Sequence, residues 1–350
     1  MRTYLEFSEA SGSGHKFYEA TVEGCTLTLR YGRIGTEGQT QVKTFPTPEA
    51  AHAEAQRRLA DKRKKGYVDA VPGEREKRAV EQPALRLPKL LTPYRAALEA
   101  SVRPYVRLWG SPGPARPWES KLGGLPYRPA GFEWPRSRTD GRALTFLAQL
   151  NLAELPHLGG FPTGGVVQFF IGDSDFYGAN FHGALDISGL SDDAGFRVLY
   201  HSEVIHDETA LDTIPSPCQP DPDTMGLPYD PAREFVLRGE LTQGPVTLGD
   251  RLFDELIGQP VWELLGEEDD EALDRYAQLA GEGHKLGGYP NFTQSDPRTV
   301  EDPHVLLFQL DSDDDLGVMW GDVGIANFFI PLEDLARADF RRVAYNWDCS

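Results

Sequence analysis

The chain has 350 residues, of which 40% are hydrophobic and 11% aromatic, and its formal net charge is −19. That composition excludes an intrinsically disordered chain and supplies enough apolar mass for two or three domains of about 150 residues. So strong an average acidity means repulsion from nucleic acid and argues against DNA as a partner.

The opening residues, "MRTYLEFSEASGSGHKF", lack the apolar core of a signal peptide, and no stretch approaches the roughly 18 apolar residues of a membrane helix. The three cysteines, Cys25, Cys218 and Cys349, lie far apart and in no CxxC pair, which argues against both a disulfide framework and a cysteine zinc site. A reducing cytoplasm is the expected location, with no membrane association. The charge is unevenly spread: residues 1–80 carry 14 Lys and Arg against 11 Asp and Glu, a net +3, which leaves −22 for the remainder.

In the basic part, "KFYEATVEG", "TLTLRYGRI" and "QTQVKTF" alternate as strands do, separated by Gly24 and by the loop "GTEGQ", which has hairpin chemistry. The Ala-rich segment that follows reads as a helix, with Thr47 as N-cap, Pro48 at the first position, Glu49 in the first turn and Gly66 as the stop. Its last turns, "RRLADKRKKGY", gather cations at the negative end of the helix dipole. Three antiparallel strands backed by one helix predict a compact α+β module over residues 1–75.

Tyr18-Glu19, Arg30-Tyr31-Gly32-Arg33-Ile34-Gly35, Gly38-Gln39, Lys43, Phe45 and Lys65-Gly66-Tyr67 resemble a WGR domain, the module of poly(ADP-ribose) polymerases and many bacterial proteins. The resemblance implies that the motif's aromatic residue stacks on a terminal sugar or base while its arginine, here Arg33, holds phosphate. Tyr31 stands where the family has tryptophan. Tyrosine still stacks, with less area, and a guanidinium matches the paired oxygens of a phosphate. The residues singled out as a nucleic-acid-binding surface are Arg30, Tyr31, Arg33, Gln39, Lys43, Lys62, Lys64 and Lys65, with DNA, at 5′-phosphorylated ends or nicks, as the expected partner. In the competing reading Tyr31 packs on the helix, Arg33 pairs with a local carboxylate and the glycines only make turns.

Residues 76–94 mix charge with prolines and lack an apolar period, as a linker does. "TPYRAALEASV" then predicts a short helix with Thr92 as cap and Pro93 at its first position. Beyond it the chain echoes itself. "KLGGLP" at 121–126 returns as "KLGGYP" at 285–290, "LAQL" at 147–150 as "LFQL" at 307–310, and "QFFI" at 168–171 as "NFFI" at 327–330, offsets of 164, 160 and 159. Two related halves, about 115–200 and 280–350, are expected to pack about a pseudo-twofold axis so that each buries the other's sheet. The strings "SKLGGLPYRPAGFEWP", "GGVVQFFIGDSDFYG", "HKLGGYPNFTQSDPR" and "LLFQLDSDDDLGVMWGDVGIANFFIPLEDL" resemble the YwqG family, a bacterial domain of unknown function, over residues 95–350. That resemblance implies a mainly antiparallel α+β fold and brings no activity.

In "DSDDDLGVMWGD", Asp311, Asp313 and Asp315 have the alternate spacing of a calcium loop. Leu316 stands where glycine is required and Asp322 where a bidentate glutamate is, so an acidic turn without metal is expected. Gln149, Gln309, Trp320, Asp322 and Asn327 form a candidate ligand cleft between the halves. The alternative is that the glutamines satisfy each other's amides inside paired strands and Trp320 fills core. The histidines are dispersed, and HExxH, GxSxG, P-loop and dinucleotide patterns are missing, so no catalytic residue and no cofactor is expected. "GEEDDEALDRYAQLAGEG" reads as an exposed acidic helix suited to a basic partner protein, and the six prolines of residues 214–235 as a long surface loop. A non-catalytic nucleic-acid-binding protein is the reading these features favour, with an acidic protein-interaction or immunity-like protein as the alternative.

Overall fold

A computed structural model describes residues 1–8, 15–33, 38–70, 85–181, 186–213, 215–218, 226–264 and 270–350. Ile34 and Gly35 of the motif, residues 76–84 of the expected linker, His182, residues 266–269 of the acidic segment and residues 214 and 219–225 of the proline-rich segment lie outside the described residues. The chain divides into two compact units, Met1–Ala84 and Leu85–Ser350.

The first unit is a five-stranded antiparallel sheet of β1 (Arg2–Ser8), β2 (His15–Glu23), β3 (Thr26–Arg33), β4 (Gln39–Thr44) and β5 (Val68–Asp69), in the order β4-β3-β2-β1-β5, with one helix, α1 (Pro48–Lys64). The start of α1 follows from its cap: the N–H of Ala50 donates to Oγ1 of Thr47 at 3.2 Å, and Pro48 takes the first position, where no donor is needed. Gly66, at φ +88°, turns the chain out of it. Two strands exceed the sequence expectation, β1 pairing with β2 and β5 with β1 on the side away from β4. Leu5, Tyr18, Ala20, Val22, Leu27 and Leu29 line one face of the sheet and meet Ala51, Ala55 and Leu59 of α1. Those helical positions recur every four residues, and the two alanines let the helix settle close to the sheet.

The second unit is built on a ten-stranded sheet. Its strands are β6 (Arg103–Pro112), β7 (Lys121–Gly123), β8 (Thr145–Asn151), β9 (Val166–Ile171), β10 (Phe196–His201), β11 (Glu234–Gly244), β12 (Lys285–Leu286), β13 (His304–Asp311), β14 (Ile325–Pro331) and β15 (Ala344–Asp348). They are ordered β10-β9-β8-β7-β11-β6-β12-β13-β14-β15. The echoed strings occupy matching places. Lys121 pairs with Gln149 and Gln149 with Gln168; Lys285 pairs with Gln309 and Gln309 with Asn327. Each half carries a bulge at the same point, between Phe146 and Ala148 and between Leu306 and Phe308. The first strand of each half crosses over, β6 pairing with β12 and β11 with β7. The N–H of Leu108 donates to His284 and the N–H of Leu237 to Ser120, both at 2.9 Å, one exchange mirroring the other.

The wings of this sheet face each other, since Phe169 of β9 lies 4.7 Å from Phe308 and 4.8 Å from Phe328, ring centre to ring centre, and Phe196 of β10 lies 5.4 Å from Tyr345 of β15. Alternation then turns Gln149, Gln168, Gln309 and Asn327 to the outer faces, where loops bury them completely. Oε1 of Gln149 accepts from the N–H of Tyr127 and Oε1 of Gln309 from that of Asn291, both at 2.7 Å. Their amide nitrogens donate to the carbonyls of Glu119 (2.8 Å) and Gly283 (2.7 Å). Gln168 and Asn327 complete the match by donating to the carbonyls of Tyr127 and Asn291. The Gly-Gly pairs of the two "KLGG" strings share a left-handed backbone, at +67° and +70° for Gly123 and Gly124, +70° and +75° for Gly287 and Gly288. A Cβ on Gly123 would sit 2.1 Å from the carbonyl oxygen of Arg233.

Two local expectations are corrected. Thr92 is no cap: a 3-10 helix, Lys89–Tyr94, runs into the α-helix Arg95–Ala100, and Oγ1 of Thr92 donates to the carbonyl of Pro88. The acidic helix, Asp270–Ala280, is two-faced, with Tyr276 and Ala280 buried and the Tyr276 hydroxyl donating to Val246.

Gln309→Leu should remove the acceptor of the Asn291 N–H and the donor to Gly283, at a cost of about 1–3 kcal/mol for each buried group left unpaired. All six tryptophans lie from Trp109 onward, so denaturant unfolding followed by tryptophan fluorescence reads the second unit alone. The midpoint is expected to fall; an unchanged midpoint would show that the buried amide holds nothing.

Candidate nucleic-acid interface

In the ladder of the first unit Tyr31 lies directly opposite Tyr18 on one side and Gln39 on the other. Opposite residues share a face, here the face that carries α1. The rings of Tyr18 and Tyr31 stack with centres 6.1 Å apart and planes inclined by 22°. Tyr18 is buried, whereas Tyr31 packs on the core with part of its ring open. Together with Gln41 of β4 and Arg57, Arg58, Asp61 and Lys62 of α1, the two tyrosines line a cavity of about 340 Å³.

The cations of this groove differ in their commitments. Arg57 donates to Glu54 at 2.9 Å and lies 3.5 Å from Asp61, with its side chain 63% exposed. Arg58 donates to Glu54 at 2.7 Å and to the Tyr18 hydroxyl. Hydrogen bonds from Arg57 and Arg58 hold the Glu54 carboxyl down to about 2. Lys62 has rings for company: its Nζ lies 4.7 Å from the centre of Tyr18 and 5.0 Å from that of Tyr67. Burial, and then Lys65 and Lys16 nearby, keep its ammonium below the ordinary lysine value.

The structure thus joins Tyr31 and Lys62 in one groove and adds Gln41, Arg57, Arg58 and Asp61, which the sequence reading did not single out. The signal for these lay in period: Arg57 and Asp61, like Arg58 and Lys62, are four apart on α1 and so share a face. Gln39 and Lys43 sit exposed on the edge strand β4, with Lys43 5.2 Å from the Phe45 ring centre. Lys64 and Lys65 are exposed at the end of α1. Arg30 is corrected to the opposite face of the sheet, since it neighbours Tyr31 in a strand; there it lies 3.2 Å from Glu19, which Arg2 also engages, and over the Phe17 ring. Arg33 ends β3 opposite Lys16, and its side chain lies outside the described residues.

Among the described residues of the second unit the expected cleft does not form. Gln149, Gln309, Trp320 and Asn327 are each 0% exposed, because the amides hold the covering loops and Trp320 fills core beside Tyr177 and Trp347; Asp322 alone is exposed. A cavity of about 380 Å³ lies elsewhere in that unit, lined by Leu125, Trp134, Phe146 and Leu227 with Thr145, Asp173, Ser216 and Cys218 as polar members. Asp313 caps its own turn by accepting from the N–H of Leu316 at 3.0 Å. Among the described residues no group of three or more His, Cys, Asp and Glu could hold a metal ion, and no helix is long and apolar enough to cross a membrane.

The family model described as domain of unknown function (DUF1963) matches residues 120–349, and the WGR domain model matches residues 1–74. The chain belongs to the DUF1963 family. Its first unit carries the WGR domain. Protein YehF of Escherichia coli (strain K12) is 38% identical over 69 residues, which make up 20% of this chain and 24% of that protein, so the chain spans about a quarter of that relative's length. The crystal structure of a Bacteroides fragilis protein is matched at 37% identity over 20% of each chain, with a TM-score of 0.19.

In the WGR domain the entry to β4 depends on Gly38, at φ +68°, where a Cβ would stand 2.6 Å from Cζ of Phe17 and 2.7 Å from the Tyr31 carbonyl oxygen. Gly38→Ala should therefore destabilise this domain by about 1 kcal/mol or more. Amide hydrogen exchange of β3 in the full chain checks it: exchange should rise at least about fivefold there, with the tryptophan-reported transition of the DUF1963 domain unmoved.

Proposed function

We propose that the WGR domain binds DNA, at 5′-phosphorylated ends or nicks, through the groove between Tyr31, Gln41 and α1, and that the DUF1963 domain serves as its partner or ligand module without catalysis. The observation that carries this reading is the meeting of a part-open stacked ring with Arg57, Arg58 and Lys62 around one cavity. A terminal sugar or base laid on Tyr31 gains a contact of the kind worth about 1–3 kcal/mol per base. Phosphate reaches Arg57 and Lys62 at small cost, because an exposed ion pair such as Arg57–Glu54 contributes at most about 1 kcal/mol and exchanges readily. Gln41 adds a neutral donor and acceptor. The WGR family resemblance assigns phosphate to Arg33 as well. The −22 of the residues beyond 80 repels a duplex, which confines binding to the WGR domain and favours a terminus over a long track.

Binding of the full chain to nicked, blunt 5′-phosphorylated and closed circular duplexes, measured across salt, tests the proposal. The first two should bind tighter than the third, and about three phosphate contacts would give a slope of log K against log salt near about −2.7. Arg33→Ala should weaken binding most, and Tyr31→Ala by about tenfold with little change of slope. Equal, weak and salt-insensitive binding to all three duplexes would overturn it.

A further inference from the structure

The two halves of the DUF1963 domain share a scaffold, and at one point their chemistry parts. Ser120 and His284 are equivalent, each preceding the lysine of its "KLGG" string, and Asn151 and Asp311 are equivalent ends of β8 and β13. In the first half the Ser120 hydroxyl accepts from the N–H of Asn151 at 2.8 Å. In the second, Nδ1 of His284 accepts from the N–H of Asp311 at 3.0 Å, while Nε2 lies 3.1 Å from Oδ2 of Asp313. A ring nitrogen that accepts from an amide carries no proton, so the neutral ring keeps its proton on Nε2 and donates it to Asp313. Protonating Nδ1 would set two N–H donors face to face and leave the Asp311 amide without an acceptor. With Nδ1 occupied in this way the ring has no lone pair to offer a substrate, so the pair is no catalytic dyad. A serine in the same place cannot titrate.

The charges around the ring come from several elements. Glu282 precedes it on its own loop, Lys285 follows it at the start of β12, and Asp311 and Asp313 face it from β13 and the turn beyond. Asp274 acts on Glu282, and Asp250 on Lys285. Arg107 of β6, the ladder partner of Lys285, turns to Glu240 at 3.6 Å. Burial keeps His284, 4% exposed, below the ordinary histidine value although Asp313 pulls the other way. Burial also lifts Asp311 to about 6 and lowers Lys285 to about 7.

We propose that His284 is a proton-sensitive latch: while neutral it ties residues 281–285 to the end of β13, and on protonation it releases the Asp311 amide and loosens that junction, whereas the Ser120 latch of the first half stays closed. The sign follows from linkage. The closed ring binds its proton more weakly than an opened ring titrating near 6.5, so opening grows as pH falls through 6.5 and is indifferent to pH well above it. Asp311 has the opposite tendency, since its closed form holds a proton up to about 6, and that contribution is common to any variant that keeps it.

Amide hydrogen exchange of Asp311 in the full chain, corrected for intrinsic rate, compares the natural protein with His284→Ser, which copies the first half's residue. From pH 7.5 to 5.5 the ratio of the two should rise, by up to about tenfold, while the Asn151 amide shows no such change. A flat ratio, or an equal rise at Asn151, would overturn the latch. Nitrogen NMR of the His284 ring decides independently should the variant not fold. An Nε2–H tautomer with a midpoint below 6.5 supports the latch, and an Nδ1–H tautomer or a midpoint at or above 6.5 removes it.

Discussion

A carboxamide buried inside a β-sheet must find partners for all its hydrogens and lone pairs within reach, or it costs more than it contributes. Gln149 and Gln309 solve this with backbone groups of the loops that cover them, and the rest of the DUF1963 domain is arranged around the solution. The N–H and the carbonyl that meet each glutamine come from either side of the "KLGG" string, Tyr127 and Glu119 for Gln149, Asn291 and Gly283 for Gln309, and the left-handed Gly-Gly pair turns the chain between them. The lysine points to the same outer face as the glutamine it pairs with, and the leucine goes to the core. Each element of the repeated string thus has its own duty.

The exchange of β6 and β11 between halves explains why this region forms one unit. Each half supplies the strand on which the other half's short "KLGG" strand is hydrogen-bonded, so neither sheet is complete alone. The exchange also places different residues over the two buried lysines. Lys121 meets Glu234 at 3.0 Å, whereas Lys285 lies 5.5 Å from the ring centre of Tyr105 and donates to Gly281, Tyr289 and Asn291. One buried ammonium is neutralised by a carboxylate and the other is held by neutral acceptors.

Local chemistry was legible in the chain and long-range pairing was not. The Thr47 cap, Pro48 and Gly66 set the ends of the helix Pro48–Lys64 by rules that act within four residues. The strand Arg2–Ser8 pairs with β2 and, at Leu5 and Glu6, with Asp69 and Val68, and this second, distant pairing is the one that no local signal marks. Arg30 was grouped with Tyr31 by adjacency, where strand parity separates them by the thickness of the sheet. For Gln309, Asn327 and Trp320 the sequence allows either a cleft or satisfied amides and a core-filling ring, and only the covering loops on the outer face and the packed rings between the wings decide for the second. The helical period puts Arg57 and Asp61 on one face of α1, but that this face borders Tyr18, Tyr31 and Gln41 follows only from the packing of α1 on the sheet.

A cationic groove can exist in a chain of net charge −19 because charge acts locally. In the WGR domain most arginines are spoken for: Arg2 and Arg30 by Glu19, Arg57 and Arg58 by Glu54, Arg63 by Asp69. Such pairing cancels the field of the domain at a distance while leaving exchangeable donors at contact, since exposed pairs are weakly bound. Lys62 is different, for its ammonium rests on two tyrosine rings and is partly stripped of water. An anion brought into that groove would meet a cation already desolvated, so less of the attraction would be lost to removing water. The long-range field of the chain and the local field of the groove thus have opposite signs, and which of them an anion meets depends on how closely it approaches.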